Sequence, residues 1–437
     1  WAPSIRYHNN EFYIYWGDPD FGIYMVKTKD PAGPWEAPVL VQEGKGLIDA
    51  CPLWDEDGNA YLVHAFAGSR AGIKSVLVVN KMSADGTHLL DRGTLVFDGH
   101  AKHPTVEGPK FYKHDGYYWI FAPAGGVSAG WQLAMRSKNP LGPYEEKMVM
   151  HQGETNINGP HQGGWVKLES GEYWFMHFQD ADAYGRIVHL QPMVWKNNWP
   201  IIGKDKDGDG MGEPVSVYKK PDVKGKQKIV TPVESDEFND PDLGMQWQWH
   251  ANPTGHHVFL FPQKGVLRFY ATEEIERGKH TLWNVPSLLL QKFPAPEFTA
   301  TTKVKISFNP KVKNEKTGLL IMGEDYANIA IQKGEDGNYI TITTCKNART
   351  GGKEAIEKIA KVEGSEFYFR TIVHAGGKCD FYYSQNGIDF TKAGETFVAK
   401  PGRWIGAKVG LFATTSAPIN DTGYGDYDWF RITKNEN

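Results

Sequence analysis

Three polar side chains open equivalent phrases of this 437-residue chain: Asp49, Glu107 and His161, with Trp1 at the head of a fourth. The phrases are Ala2-Pro3-Ser4-Ile5 with Asn10-Glu11-Phe12-Tyr13-Ile14-Tyr15, and Asp49-Ala50-Cys51-Pro52-Leu53-Trp54 with Asp57-Gly58-Asn59-Ala60-Tyr61-Leu62. They continue as Glu107-Gly108-Pro109-Lys110-Phe111 with Asp115-Gly116-Tyr117-Tyr118-Trp119-Ile120, and Gly159-Pro160-His161-Gln162-Gly163-Gly164-Trp165-Val166 with Ser170-Gly171-Glu172-Tyr173-Trp174-Phe175. An aromatic platform, two carboxyls and an imidazole suit acid–base cleavage of a glycosidic bond. One carboxyl protonates the leaving oxygen and the other serves as base or charge partner. A single Asp or Glu beside a turn is as readily a turn or cap residue. The weight therefore lies on the set standing in register.

Each phrase reads as a short strand, a tight turn and an aromatic strand, which is a β-hairpin signature. The spacing is 58 residues from Asp49 to Glu107 and 54 from Glu107 to His161. A hairpin-opened unit of about 50 residues that recurs marks the blades of a β-propeller. In that architecture the inner strands begin at one mouth of the central channel, so the four openings converge there. After about Tyr218 a charged, aperiodic stretch from Lys219 to Lys228 reads as a linker. Beyond Ser235, alternating strands separated by turn signals predict a β-sandwich. The expected organisation is all-β: a propeller over 1–222, a linker over 223–234 and a sandwich over 235–437.

At these residues the chain resembles family 43 of the glycoside hydrolases. The resemblance rests on Trp1-Ala2-Pro3, Ile48-Asp49, Trp54-Asp55, Asp57-Gly58, Val106-Glu107-Gly108-Pro109 and Gly159-Pro160-His161. The phrases Asp30-Pro31-Ala32-Gly33-Pro34-Trp35 and Asn139-Pro140-Leu141-Gly142-Pro143-Tyr144 add to it. It implies a five-bladed propeller whose first blade, with the general base, is expected upstream of Trp1 and absent from this chain. It makes Glu107 the general acid, with a carboxyl pKa raised by burial and nearby negative charge, and Asp49 the residue that orients it and modulates its pKa. Trp1, Asp18, Gln179 and Arg186 become substrate contacts, and His161 a residue beside calcium or its waters; Asp18 and Asp20 are the rival bases within the chain. The implied activity is exo-acting, inverting release of xylose or arabinose from plant cell-wall polysaccharide or oligosaccharide. The alternative is a propeller that binds carbohydrate without cleaving it.

From Asp236-Glu237-Phe238 to Asp426-Tyr427-Asp428-Trp429-Phe430 the chain resembles the concanavalin A-like (jelly-roll) sandwich of family 43 xylosidases. By that resemblance Glu237 and Asp428 share a structural calcium, and Trp249, His256, His257 and Phe259 are candidates to wall the site. Asp205-Lys206-Asp207-Gly208-Asp209-Gly210 imitates the start of an EF-hand loop, but the twelfth position is Ser216 where Glu is expected, so a solvated turn is the simpler reading. The 48 basic and 52 acidic residues give no basic stripe for nucleic acid, and no apolar run is long enough for a membrane helix. Cys51, Cys345 and Cys379 have no metal spacing, so the compartment stays open between reducing and oxidising, with a secreted or periplasmic setting the preferred expectation. No organic cofactor is called for, and the oligomeric state is left open.

Overall fold

The computed structural model describes residues 1–253, 256–273, 281–415 and 421–435. The strands up to Ile202 form four antiparallel sheets of four strands, each in chain order. Blade 1 holds β1 (Ser4–His8), β2 (Glu11–Asp18), β3 (Gly22–Thr28) and β4 (Val39–Glu43). Blade 2 holds β5 (Leu47–Trp54), β6 (Ala60–Phe66), β7 (Val76–Met82) and β8 (Thr94–Asp98). Blade 3 holds β9 (Lys110–His114), β10 (Tyr117–Ala124), β11 (Trp131–Ser137) and β12 (Glu145–Met150). Blade 4 holds β13 (His161–Lys167), β14 (Tyr173–Asp180), β15 (Arg186–Lys196) and β16 (Trp199–Ile202). The hairpin turns follow from the sequence: Asn9-Asn10 and Asp115-Gly116 take positive φ at both residues, the geometry that matches strand twist.

Period-two alternation explains why these strands read as nearly continuous apolar runs. In β6, Ala60 and Leu62 pack with Tyr13, Tyr15 and Met25 of blade 1, while Tyr61, Val63 and Ala65 pack with Phe111 and Ile120 of blade 3. In β10, Ile120 and Ala122 face blade 2, while Trp119 and Phe121 join Phe175 and Met193 of blade 4. Each middle sheet is thus buried on both faces, and each Phe or Leu so buried contributes roughly 1.5–3 kcal/mol. Four blades form, one sheet for each copy of the repeated phrase, and a fifth blade upstream of Trp1 is not shown. The outward faces of blades 1 and 4 carry exposed apolar side chains, among them Ile5 and Tyr7, and Val188, Leu190 and Val194.

The second compact unit comprises Ala181–Arg186 and Gln227–Asn437. Its eight-stranded sheet runs from Gln248–Trp249 through Leu289–Lys292, Lys408–Thr415, Lys316–Met322, Tyr326–Lys333 and Asn338–Cys345 to Glu354–Val362, with Thr272–Glu273 pairing on Lys408–Thr415. A seven-stranded sheet runs from Val258–Phe261 through Val266–Tyr270, Tyr424–Thr433, Phe298–Ser307, Glu366–His374 and Lys378–Ser384 to Thr391–Val398. Their facing sides bury Phe269, Leu319, Ile329, Phe369, Leu411 and Tyr427 in one core. The unit also claims 181–186, which the sequence places inside the propeller span. Ala183 is buried in the sandwich core, and its carbonyl accepts the N–H of Ala407 at 2.7 Å. The Tyr184 hydroxyl donates to the Pro296 carbonyl (3.0 Å) and accepts from the Gly377 N–H (2.9 Å). Two glycines permit this approach: a Cβ on Gly185 would lie 2.3 Å from the Gly406 nitrogen, and one on Gly406 would lie 2.7 Å from the Gly185 nitrogen. All three cysteines are buried and free. No helix among the described residues is long and apolar enough to cross a membrane.

Blades 2 and 3 are also tied by a polar clasp. Asp55, whose side chain is 1% exposed, accepts from the Lys113 ammonium and the Tyr118 hydroxyl. Burial pushes the Asp55 carboxyl up, but those two donors outweigh it and hold the group below its ordinary value. Its stabilising contribution is therefore present above the unfolded carboxylate value of about 3.9 and is lost as pH falls through the lower folded value. Asp55→Asn is expected to lower the melting temperature at neutral pH by roughly 2–8 °C, from about 1–3 kcal/mol. It should also flatten the fall in stability on the acid side. Thermal melts across acid pH check both effects, and an unaltered acid slope contradicts the clasp.

Candidate active site

Breaks in inner-strand pairing position the polar side chains. In β5 the pairing with β6 slips between Ile48 and Cys51, and Asp49 at the break takes φ +59°. In β13 it slips between His161 and Gly164, with Gln162 at φ +51°. Ahead of β9, Gly108 takes φ +59° directly after Glu107. A residue in the left-handed region costs about 1–3 kcal/mol when it is not glycine, and Asp tolerates it better than most. Gly108 needs to be glycine for a second reason: a Cβ there would sit 3.0 Å from the Gln162 carboxamide.

These breaks bring three of the candidates together. Asp49, 2% exposed, accepts the Gly108 N–H at its Oδ2 over 2.7 Å, fixing the backbone beside Glu107. His161 is 1% exposed, and its Nε2 lies 3.3 Å from Glu107 Oε1 without hydrogen-bond alignment. The Glu107 side chain keeps 29% of its surface open to solvent. Burial pushes the Asp49 carboxyl above its ordinary value and the Glu107 charge adds to the push; Lys110, the Gly108 amide and His161 oppose it. The result is a buried carboxyl that holds its proton more tightly than free Asp, beside a second carboxyl that reaches solvent.

The other expected contacts are placed as follows. Trp1 is exposed, and its nitrogen donates to the Gly17 carbonyl at 2.5 Å. Asp18 ends β2 and accepts the Asp20 N–H at 3.0 Å, a turn-closing role, while Asp20 pairs with Arg70 at 2.6 Å. Gln179 donates to the Asn156 carbonyl (3.2 Å) and accepts from His189 (2.8 Å). Arg186 opens β15 and is counted with the second unit. Trp249 packs against the sandwich core, and Phe259 stands exposed near Tyr270.

A profile described as Glycosyl hydrolases family 43 matches residues 1–200, and one described as Beta xylosidase C-terminal Concanavalin A-like domain matches 235–433. A protein of Xylanibacter ruminicola named "Putative beta-xylosidase" is 39% identical over 95% of this chain and 74% of its own length. The chain belongs to glycoside hydrolase family 43. It is a glycosidase, with the catalytic-domain and concanavalin A-like modules of that family. A non-reducing end alpha-L-arabinofuranosidase of Bacteroides ovatus is 27% identical over 98% of the chain and 80% of its own length. The crystal structure of a xylan beta-1,4-xylosidase from Bacillus halodurans shares the fold, with TM-score 0.83 at 23% identity over 99% of this chain and 86% of that one.

Sequence reasoning missed the cations of this family 43 site. Lys110, 8% exposed, directs its ammonium to the Gly108 and Pro109 carbonyls, each at 3.5 Å. Burial pushes its pKa down, against the attraction of Cys51 and Asp49. Arg6 donates to Cys51 Sγ (2.9 Å) and the Phe111 carbonyl (3.3 Å), with its guanidinium 4.7 Å from the Tyr112 ring centre. A lysine three residues after a candidate acid, opening β9, is the one local signal that could have marked the first.

The expected calcium fits these residues only in part. Ca²⁺ takes six to eight oxygens, whereas His161 offers one buried imidazole whose Nδ1 has no hydrogen-bond partner among the described residues. That nitrogen suits a water on an ion and does not, with Glu107, make a cage. Glu237 and Asp428 do not share a site: Glu237 forks onto Arg431 at 2.7 and 2.8 Å, and Asp428 pairs with Lys303 at 3.1 Å. Asp205, Asp207 and Asp209 do converge within 4.8 Å, but the Asp205 carboxylate already accepts the Gly208 and Gly210 amides.

Asp49 binds its proton more tightly folded than unfolded, so its ionisation costs stability as pH rises through the window above about 3.9. Asp49→Asn keeps an acceptor for Gly108, removes that cost and suits positive φ. Its melting temperature at neutral pH should rise by about 2 °C or more while kcat falls at least tenfold. Paired melting and kinetic measurements check this, and a variant less stable than the parent at neutral pH contradicts it.

Proposed function

We propose that this glycosidase is an exo-acting, inverting β-D-xylosidase or α-L-arabinofuranosidase, with Glu107 as general acid and Asp49 as the residue that positions it and tunes its proton. The observation that carries this reading is the bond from the Gly108 N–H to buried Asp49. It locks the main chain beside a carboxyl that remains partly open to a substrate. The Glu107 carboxylic acid donates its proton to the leaving glycosidic oxygen as the C–O bond breaks, and is left as a carboxylate. Burial and the Glu107 charge make Asp49 hold its proton more tightly than free Asp, and a carboxyl so placed next to the acid positions it and sets the charge beside it. The water that attacks the sugar needs a base, which none of the groups at this site supplies on the present geometry. The names of the relatives support a pentose-releasing activity, and they do not favour the reading as a binding protein without catalysis. Calcium remains part of the proposal as a hydrated ion at His161.

Glu107→Gln should lower kcat on xylo- and arabino-oligosaccharides by about 10²–10⁴-fold. The loss should be much smaller on a dinitrophenyl glycoside, whose leaving group needs no proton. Assay on paired nitrophenyl β-xylopyranoside and α-arabinofuranoside names the sugar, and NMR of the first-formed anomer reads inversion. Near-parental turnover by the variant on unactivated substrates overturns the acid assignment. Chelation with EDTA followed by calcium addition should lower and restore turnover; indifference to chelation removes calcium from the proposal.

A further inference from the structure

A second constellation lies within the sandwich unit and has no part in the chemistry above. Lys408 opens the strand Lys408–Thr415 of the eight-stranded sheet, with Lys292 directly opposite on one neighbouring strand and Met322 opposite on the other. It is 6% exposed; no salt bridge among the described residues involves it or nearby Arg403, whose guanidinium lies over the Trp404 ring. Burial pushes the Lys408 ammonium below its ordinary pKa, and Lys292 adds to the push. Like charges facing each other across strands and a buried cation without a counter-ion both cost stability.

The cost has a place to be recovered. Lys408 and Arg403 line a cavity of about 320 Å³ together with His250, Trp283, Met322 and Ile405. That volume is at the lower end of the roughly 300–1,000 Å³ of small-molecule sites, more than a bare inorganic anion fills. His250 Nε2 donates to the Trp283 carbonyl at 3.0 Å, which leaves Nδ1 as an acceptor. Burial, and after it the neighbouring Lys408, push the pKa of that imidazole down, against the bond to the Trp283 carbonyl. Two cationic residues, a histidine and an indole thus share one wall with thioether and aliphatic neighbours, and the Arg403 guanidinium also lies 4.7 Å from the Trp404 ring centre.

We propose that this cavity binds a carboxylate-bearing sugar ring, a hexuronate, with the carboxylate on Lys408 and Arg403 and the ring against Trp283. A guanidinium and an ammonium lining the same cavity can each give a carboxylate charge-assisted hydrogen bonds, and the apolar face of a sugar ring suits an indole. The assignment does not depend on which pentose the catalytic module releases.

The test is calorimetric titration of the full 437-residue chain with sodium D-glucuronate, D-xylose and inorganic phosphate. Glucuronate is expected to bind in the millimolar range and to raise the melting temperature, with xylose and phosphate at least tenfold weaker. Lys408→Met should abolish binding and, without ligand, raise the melting temperature by about 2–4 °C. Arg403→Ala, at an exposed loop position, should weaken binding at least fivefold and keeps the test decisive if Lys408→Met does not fold. No glucuronate binding, equal binding of phosphate or xylose, or unchanged affinity in either variant overturns the proposal.

Discussion

The candidate site depends on one backbone event, a slip in the pairing register just inside the start of two inner strands. Where β5 and β13 slip, a residue enters the left-handed region, and the side chains around the break leave the alternation of the sheet. Regular pairing would send Asp49 toward one inter-blade core or the other, where a carboxyl has no place. The break aims it at the backbone after Glu107 instead. β-bulges commonly do this work next to active sites, and here it recurs with the repeat.

That arrangement is held against its own electrostatics. Asp49 is buried beside another carboxyl, with Lys110 and one amide as partial compensation. The inter-blade cores can carry the cost because they are extensive: Ile120, Phe121, Leu133 and Phe175 are fully buried between blades. The clasp of Asp55 with Lys113 and Tyr118 works in the opposite sense, since its charge is satisfied where it lies. Two buried aspartates six residues apart thus contribute with opposite sign, one supporting the fold and the other drawing on it.

Much of this was legible in the residues. The repeated phrase gave the blades and their order, because alternation and turn chemistry are local properties; Asn9-Asn10 and Asp115-Gly116 specify their hairpins unaided. It also placed Asp49, Glu107 and His161 together, since register carries the spacing. What escaped was set by long-range packing. The segment 181–186 lies between two blade strands, and nothing local announces that Ala183 belongs to the sandwich core. Glu237 and Asp428 looked like free carboxylates until the strands of their sheet brought Arg431 and Lys303 alongside. The role of Lys110 depends on a neighbour about 60 residues away, Cys51 or Asp49, and no periodicity reveals it.

A raised carboxyl pKa would not by itself have separated a working residue from a structural one. Glu315 in the sandwich is fully buried, and burial raises its carboxyl too. Its oxygens accept the amides of Asn309 (2.7 Å) and Gly423 (2.5 Å), so it closes two loops and faces nothing that could react. Asp49 is likewise buried and also accepts an amide, but its remaining surroundings are a solvent-reaching carboxyl and an imidazole with an open nitrogen. The same reasoning separates Lys316, buried and paired with Glu354 at 3.3 Å, from Lys408, buried in the same sheet with a cavity in place of a carboxylate. Burial sets the energetic cost of a charge. What stands opposite the charge decides whether that cost serves the fold or a ligand.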